Sequence, residues 1–106
     1  MCRVICIDDA NRPKEIPKNK WVIKKQEYTV IWVYYSIPSK TMAFDLAEIT
    51  LDESCAPYSI FSAKRFAIHE DDLEEFLQLM KDCTDFNDID IEELIKQENF
   101  EIIENE

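Results

Sequence analysis

A chain of 106 residues has room for one modest hydrophobic core, and 46% hydrophobic with 33% charged residues is the composition of a folded chain. Net charge is −11 and glycine is absent. The missing glycine excludes the phosphate-cradling P-loop, the dinucleotide fingerprint, the GxSxG nucleophile elbow, the GXXG clamp and the EF-hand loop.

Val4–Asp8 is a short apolar run closed by Asp8-Asp9, which suits a first strand. Residues 9–20, with Pro13 and Pro17 and no periodicity, read as an extended loop, and Trp21–Ile23 as a brief strand or the lip of that loop. Tyr28–Ile37 is the strongest strand signal, β-branched and aromatic throughout except Ser36. Strict alternation puts Tyr28, Val30, Trp32 and Tyr34 on one face and Ile31, Val33 and Tyr35 on the other. With both faces apolar, this strand is expected to be central or wrapped on its second face. Pro38-Ser39-Lys40 is a turn, and Thr41–Leu51 returns as a strand with Met42, Phe44 and Leu46 sharing a face. Asp52–Ser59 is loop. Phe61 and Phe66 are five apart, a spacing that fits a short helical or 3₁₀ turn between them. From Glu70 the period becomes helical: Leu73, Phe76, Leu77 and Met80 follow the i, i+3, i+4, i+7 template. Ile91, Leu94, Ile95 and Phe100 outline a second, shorter helix, with Asp90 as N-cap and Glu93 three residues on.

The predicted fold is α+β and mainly β: an SH3-like antiparallel barrel over residues 1–69, followed by an acidic helical extension over 70–106. Charge divides the same way. Residues 1–69 carry ten Lys/Arg against eight Asp/Glu, and residues 70–106 carry two Lys against fifteen acids. Arg12, Lys14, Lys18, Lys20, Lys24 and Lys25 against Glu15 make the first loop locally basic. Duplex nucleic acid is disfavoured as a partner of a chain this acidic.

Cys2, Cys6, Cys55 and Cys83 lack a CxxC pair and have one histidine for company, so they read as buried thiols rather than a zinc set. No signal-peptide pattern opens the sequence and no run reaches the ~18 apolar residues of a membrane span, so a cytoplasmic, non-membrane protein is expected. His69 with Glu70, Asp71 and Asp72 reads as helix capping, and Asp8-Asp9 as a strand-end turn. Asp85, Asn87, Asp88 and Asp90 fail the calcium-loop pattern at Ile89 and Lys96. No catalytic, cofactor-binding or metal-binding residue is expected.

The interaction candidates are Trp21, Lys24, Lys25, Tyr35, Lys64 and Arg65. Lys64 and Arg65 stand outward if Phe61 and Phe66 anchor their segment, and Arg65 is expected to pair with an acid such as Glu48. Trp21 and Tyr35 are the aromatics expected to be partly exposed, with Trp32 and Tyr34 in the core. Trp21, Tyr28, Trp32, Tyr34 and Tyr35 beside Lys24 and Lys25 also have the makings of a base-stacking platform.

Trp21-Val22, Tyr28-Thr29-Val30, Leu46-Ala47-Glu48-Ile49 and Phe61-Ser62-Ala63-Lys64-Arg65-Phe66 form an ordered series. The series resembles a group of small uncharacterised bacteriophage and prophage proteins, including those of Bacteroidetes hosts, with a YTV strand, an LxEI strand and an FxAxRF segment. The resemblance covers about residues 3–68. A glycine that such proteins often place before the YTV strand is replaced by Gln26-Glu27. The resemblance implies a small barrel of phage origin, found in the bacterial host cytoplasm or the virion, and implies no activity. Together these observations lead to a non-catalytic protein-interaction module, a virion or assembly accessory whose partner is another protein or a second copy. The alternative is a nucleic-acid role, through single-strand binding by the basic loop or DNA mimicry by the acidic helices.

Overall fold

The computed structural model describes residues 2–36, 38–98 and 102–103. Among the described residues, six strands, β1 (Arg3–Cys6), β2 (Glu27–Ser36), β3 (Thr41–Leu46), β4 (Phe61–Ser62), β5 (Phe66–His69) and β6 (Ile102–Ile103), join two helices, α1 (Leu73–Asp82) and α2 (Ile91–Glu98). The sheet order is β4-β3-β2-β1-β5-β6; the first five strands are antiparallel and β6 lies parallel to β5.

The 3₁₀ turn Ala63–Arg65 joins β4 directly to β5, although three strands lie between them in the sheet. In a flat sheet those strands would stand about 19 Å apart. The chain from Ser62 to Phe66 spans at most about 14 Å, so the sheet must roll. It does not close among the described residues, and the expected SH3-like barrel is not shown. What the molecule presents is a rolled, open sheet in a small, mainly β, α+β arrangement.

The strands form for ordinary reasons of alternation. On β3, Met42, Phe44 and Leu46 are buried, as are Val4 and Cys6 of β1 and Cys2 just before it. β2 departs from strict alternation. Its register with β3 shifts between Val30 and Trp32, so Ile31 is an extra residue and stands 49% exposed. Such a bulge reverses the parity of everything after it. Tyr28, Val30 and Val33 are therefore buried, while Trp32 and Tyr34, expected to share the face of Tyr28, are only half-buried. β2 is central, as expected, between β1 and β3.

α1 lays Phe76 and Met80 into the same core, and Phe76 meets Phe44 edge-on at 5.5 Å. Burying side chains of this size contributes roughly 1.5–3 kcal/mol each. Ile91 and Leu94 of α2 and Phe86 between the helices complete the cluster. One hydrophobic core thus draws on both the strands and the acidic third; Phe100 lies outside the described residues. Asp90 Oδ1 accepts from the Glu93 N–H at 3.3 Å and starts α2, as the sequence indicates.

β1 pairs with β2 only as far as Glu27–Thr29, which leaves the outer half of that β2 edge to other partners. Cys83 Sγ accepts from the Val33 N–H at 3.3 Å and Asp85 Oδ2 from the Tyr35 N–H at 3.0 Å. This short segment covers an edge that would otherwise offer itself to another strand. Arg3 holds the nearly buried Asp72 through Nε at 2.9 Å and Nη2 at 3.5 Å, tying β1 to the turn that leads into α1.

With no glycine available, the left-handed backbone positions fall on Asn11 (φ 62°), Lys25 (φ 76°) and Lys40 (φ 53°). Lys25 makes the turn before Tyr28. Its N–H donates to Cys6 O at 2.7 Å while Cys6 N–H donates to Gln26 O at 3.0 Å, so two bonds lock a conformation its Cβ disfavours.

Candidate functional site

The β1–β2 connection is ordered by its own composition. It is not the extended loop expected: a turn at Lys14–Glu15 follows Pro13 and a 3₁₀ turn at Lys18–Lys20 follows Pro17, and Ile16 and Val22, both nearly inaccessible, pin it to the body of the protein. Ile16 N–H donates to Pro13 O at 3.1 Å, and Arg12 Nη1 donates to Ile16 O. Asp8-Asp9 form the strand-end turn expected of them and also organise the loop. Asp8 Oδ1 accepts from Ala10 N–H at 2.9 Å, Asp9 Oδ2 from Lys24 N–H at 3.0 Å, and Asp9 O from Trp21 Nε1 at 2.7 Å.

Arg65 meets this loop from the 3₁₀ turn between β4 and β5. Phe61 and Phe66 are buried on either side, as their spacing predicts, so the cations between them project from the core. The Arg65 guanidinium lies 4.7 Å from the Trp21 ring centroid, and its Nη1 donates to Ala10 O at 2.8 Å and Asp8 O at 3.3 Å. Its carboxylate neighbour is Asp8, at 3.6 Å, and not Glu48. Glu48 accepts instead from the Thr29 N–H at 2.8 Å, capping the start of β2. Backbone bonds run the other way too: Ile7 N–H and Asp8 N–H both donate to Arg65 O. Arg65 therefore fastens loop to turn, and its charge is committed within the molecule.

Trp21 packs its ring against Phe61 at 5.9 Å as well as against Arg65. Around them lies an open cleft of about 360 Å³, whose walls are Trp21, Phe61, Ile60 and Tyr58 with Pro13 and Ile16, floored by Thr41–Ala43 of β3. Lys64 is exposed beside it, with its backbone N–H engaged by Ser62 Oγ. Lys20 is neutralised by Asp52 at 2.7 Å, a bond that, with those from Ser54, lowers the Asp52 carboxyl to about 2.

The other candidates do not gather here. Lys24 and Lys25 are exposed at the base of β2, where Lys25 serves the turn. Tyr35 is half-buried and packs on Phe86 at 5.7 Å. The aromatic set does not form one stacking surface: Tyr28 is in the core, one Trp21 face carries Arg65, and Tyr35 is occupied by the acidic third. Tyr58 and Ile60 are cleft residues that sequence reasoning passed over, since a loop aromatic beside Pro57 carries no periodic signal.

His69 Nδ1 accepts from the Asp71 N–H at 3.3 Å, an N-cap contact for the turn before α1. Burial drives the Cys2 thiol up to about 12 and also raises Cys6 and Cys83, which keeps these thiols protonated and poor nucleophiles. Among the described residues no group of three or more His, Cys, Asp or Glu is placed to hold a metal. No helix among them is long and apolar enough to cross a membrane.

No family model, no curated protein and no solved structure matches this chain.

Proposed function

We propose that this protein is a non-catalytic protein-interaction module of phage origin, acting as a virion or assembly accessory in the bacterial host, and that the Trp21–Arg65 cleft is its contact face. The observation that carries the reading is the effort spent on holding that cleft in shape. One arginine stacks on the Trp21 ring and bonds two loop carbonyls, while Asp9 fixes the indole N–H. A pre-organised aromatic wall loses little entropy when a partner settles on it. The strand order β4-β3-β2-β1-β5, with a single 3₁₀ turn linking its ends, supports the finer reading of an SH3-like barrel type of sheet. The ordered Trp21-Val22, YTV, LxEI and FxAxRF series supports the phage origin.

Affinity purification from phage-infected cells tests the function, comparing the native chain with Tyr58→Glu. Tyr58 is 39% exposed, so the substitution leaves the core intact. A partner, or a second copy seen by light scattering, that is retained by the native chain and lost by the variant supports the reading. A monomer that retains nothing, or a partner indifferent to the variant, opposes it.

A second reading has one observation in its favour. Glu74, Glu75, Asp82, Glu92 and Glu93 are all exposed along α1 and α2. A surface of this sign is what a DNA mimic would offer to a basic host protein. Competition between this chain and duplex DNA for such a protein, abolished by charge reversal on α1, is the outcome that reading requires.

A further inference from the structure

We infer that the cleft takes an extended, acidic segment of a partner protein that carries one bulky apolar anchor side chain; this rests on the reading of the chain as an interaction module.

Size sets the first limit. A cleft of about 360 Å³ is near the lower end of sites that enclose a ligand. It admits one or two large side chains, not a folded element. Its walls set the second, because the accessible side chains of Trp21, Tyr58 and Ile60 reward an apolar anchor. Topology sets the third: β4 is an edge strand, so an extended segment has room to lie beside it.

Charge selects among such segments. Exposed Arg12, Lys14, Lys18, Lys40 and Lys64 each stand within two residues of a side chain lining the cleft. Glu15 and Asp45 are the acids in the same stretches, both half-buried. Among the described residues, none of the five cations pairs with a carboxylate. Two neighbouring cations are already spent, Lys20 on Asp52 and Arg65 on Asp8. An excess of exposed cations over acids in the segments that form an apolar-walled cleft complements an anionic peptide with an apolar anchor. A single-stranded nucleic acid meets the same charges but needs free aromatic faces for its bases to stack on, and one face of Trp21 is taken by Arg65.

Fluorescence anisotropy on the full chain decides. The probes are labelled peptides of equal length: an acidic one with a central leucine, its counterpart with lysine for every acid, the acidic one with serine for leucine, and oligo-dT. The acidic, leucine-bearing peptide is expected to bind alone, to weaken with salt, to lose about tenfold with the double variant Lys14→Glu/Lys64→Glu, and to lose binding with Tyr58→Glu. Circular dichroism checks that both variants stay folded. Equal binding of the lysine peptide, the serine peptide or oligo-dT overturns the inference, as does indifference to the charge reversal. If the acidic peptide fails while a cross-linker at position 58 maps a partner segment of other chemistry, this inference falls and the module reading stands. If position 58 maps none, both fall.

Discussion

Replacing Arg65 with alanine removes four contacts at once, and their sizes can be set out in turn. The bond to Ala10 O is short at 2.8 Å and charge-assisted, and the one to Asp8 O is long at 3.3 Å. Both carbonyls lie near solvent, so water recovers part of the loss and about 1 kcal/mol for the two together is reasonable. The cation–π contact with Trp21, at 4.7 Å, adds about 0.5–1 kcal/mol. The Asp8 carboxylate, 3.6 Å away and more than half exposed, adds between about 0 and 0.5 kcal/mol after solvent screening. Arg65→Ala is expected to cost about 2 kcal/mol in urea unfolding followed by far-ultraviolet circular dichroism, at unchanged m-value. Arg65→Lys keeps the charge but loses the planar fork and the stacking, and should cost about half as much. A double-mutant cycle with Trp21→Leu isolates the stack and should return a coupling of about 0.5–1 kcal/mol. An Arg65→Ala loss below about 0.5 kcal/mol, or an additive cycle, would refute the claim that this arginine fastens the cleft.

Other consequences follow from the turns, the thiols and the loop ion pair. Lys25→Gly relieves a left-handed strain of about 1 kcal/mol and should be neutral or stabilising, whereas Lys24→Gly should cost up to about 1 kcal/mol; equal losses in thermal unfolding would contradict the role given to Lys25. Buried Cys2 has its pKa raised to about 12, so the folded state holds a proton that the unfolded thiol releases near 8.5. Its contribution is whole below pH ~8.5 and falls by about 1.4 kcal/mol per pH unit as pH climbs toward 12; Cys2→Ala should flatten the alkaline decline, and an unchanged slope rejects the assignment. Asp52 is depressed to about 2, chiefly by Lys20, so its stabilising pairing is present above the ordinary carboxylate range and lost as pH falls toward 2. Carbonyl-detected NMR should find that low midpoint, and Lys20→Met should return it upward.

Much of the architecture is legible in the chain because the signals are periodic. The Leu73, Phe76, Leu77, Met80 stripe gives α1, the Met42, Phe44, Leu46 alternation gives β3, and Phe61 and Phe66 imply the 3₁₀ turn that bends β4 into β5. The bulge at Ile31 is not legible, since an apolar residue on an apolar strand looks the same in either phase. With that one extra residue Val33 enters the core, while Trp32 and Tyr34, expected there, are only half-buried. That the sheet stays open is illegible for another reason: closing it would need pairing between β4 and β5, and β4 is only two residues long. Trp21 is partly exposed and Arg65 stands outward between its buried flanks, as expected, but their mutual contact joins residues 44 apart and no local pattern encodes it. The same holds for Asp8, which sequence reasoning assigns to a turn and which also sits against Arg65. Zero glycine, first an exclusion of sites, becomes a statement about three turns made by Asn11, Lys25 and Lys40.

The central claim is that the Trp21–Arg65 cleft is where this protein meets its partner. Site-specific photo-cross-linking in infected cells tests it directly, with the cross-linker at position 58 on the cleft and, as a control, at the exposed position 78 on α1. The account predicts one defined adduct from position 58 that disappears with Lys14→Glu/Lys64→Glu, and none of that mass from position 78. An adduct confined to position 78, or none from position 58, would contradict it.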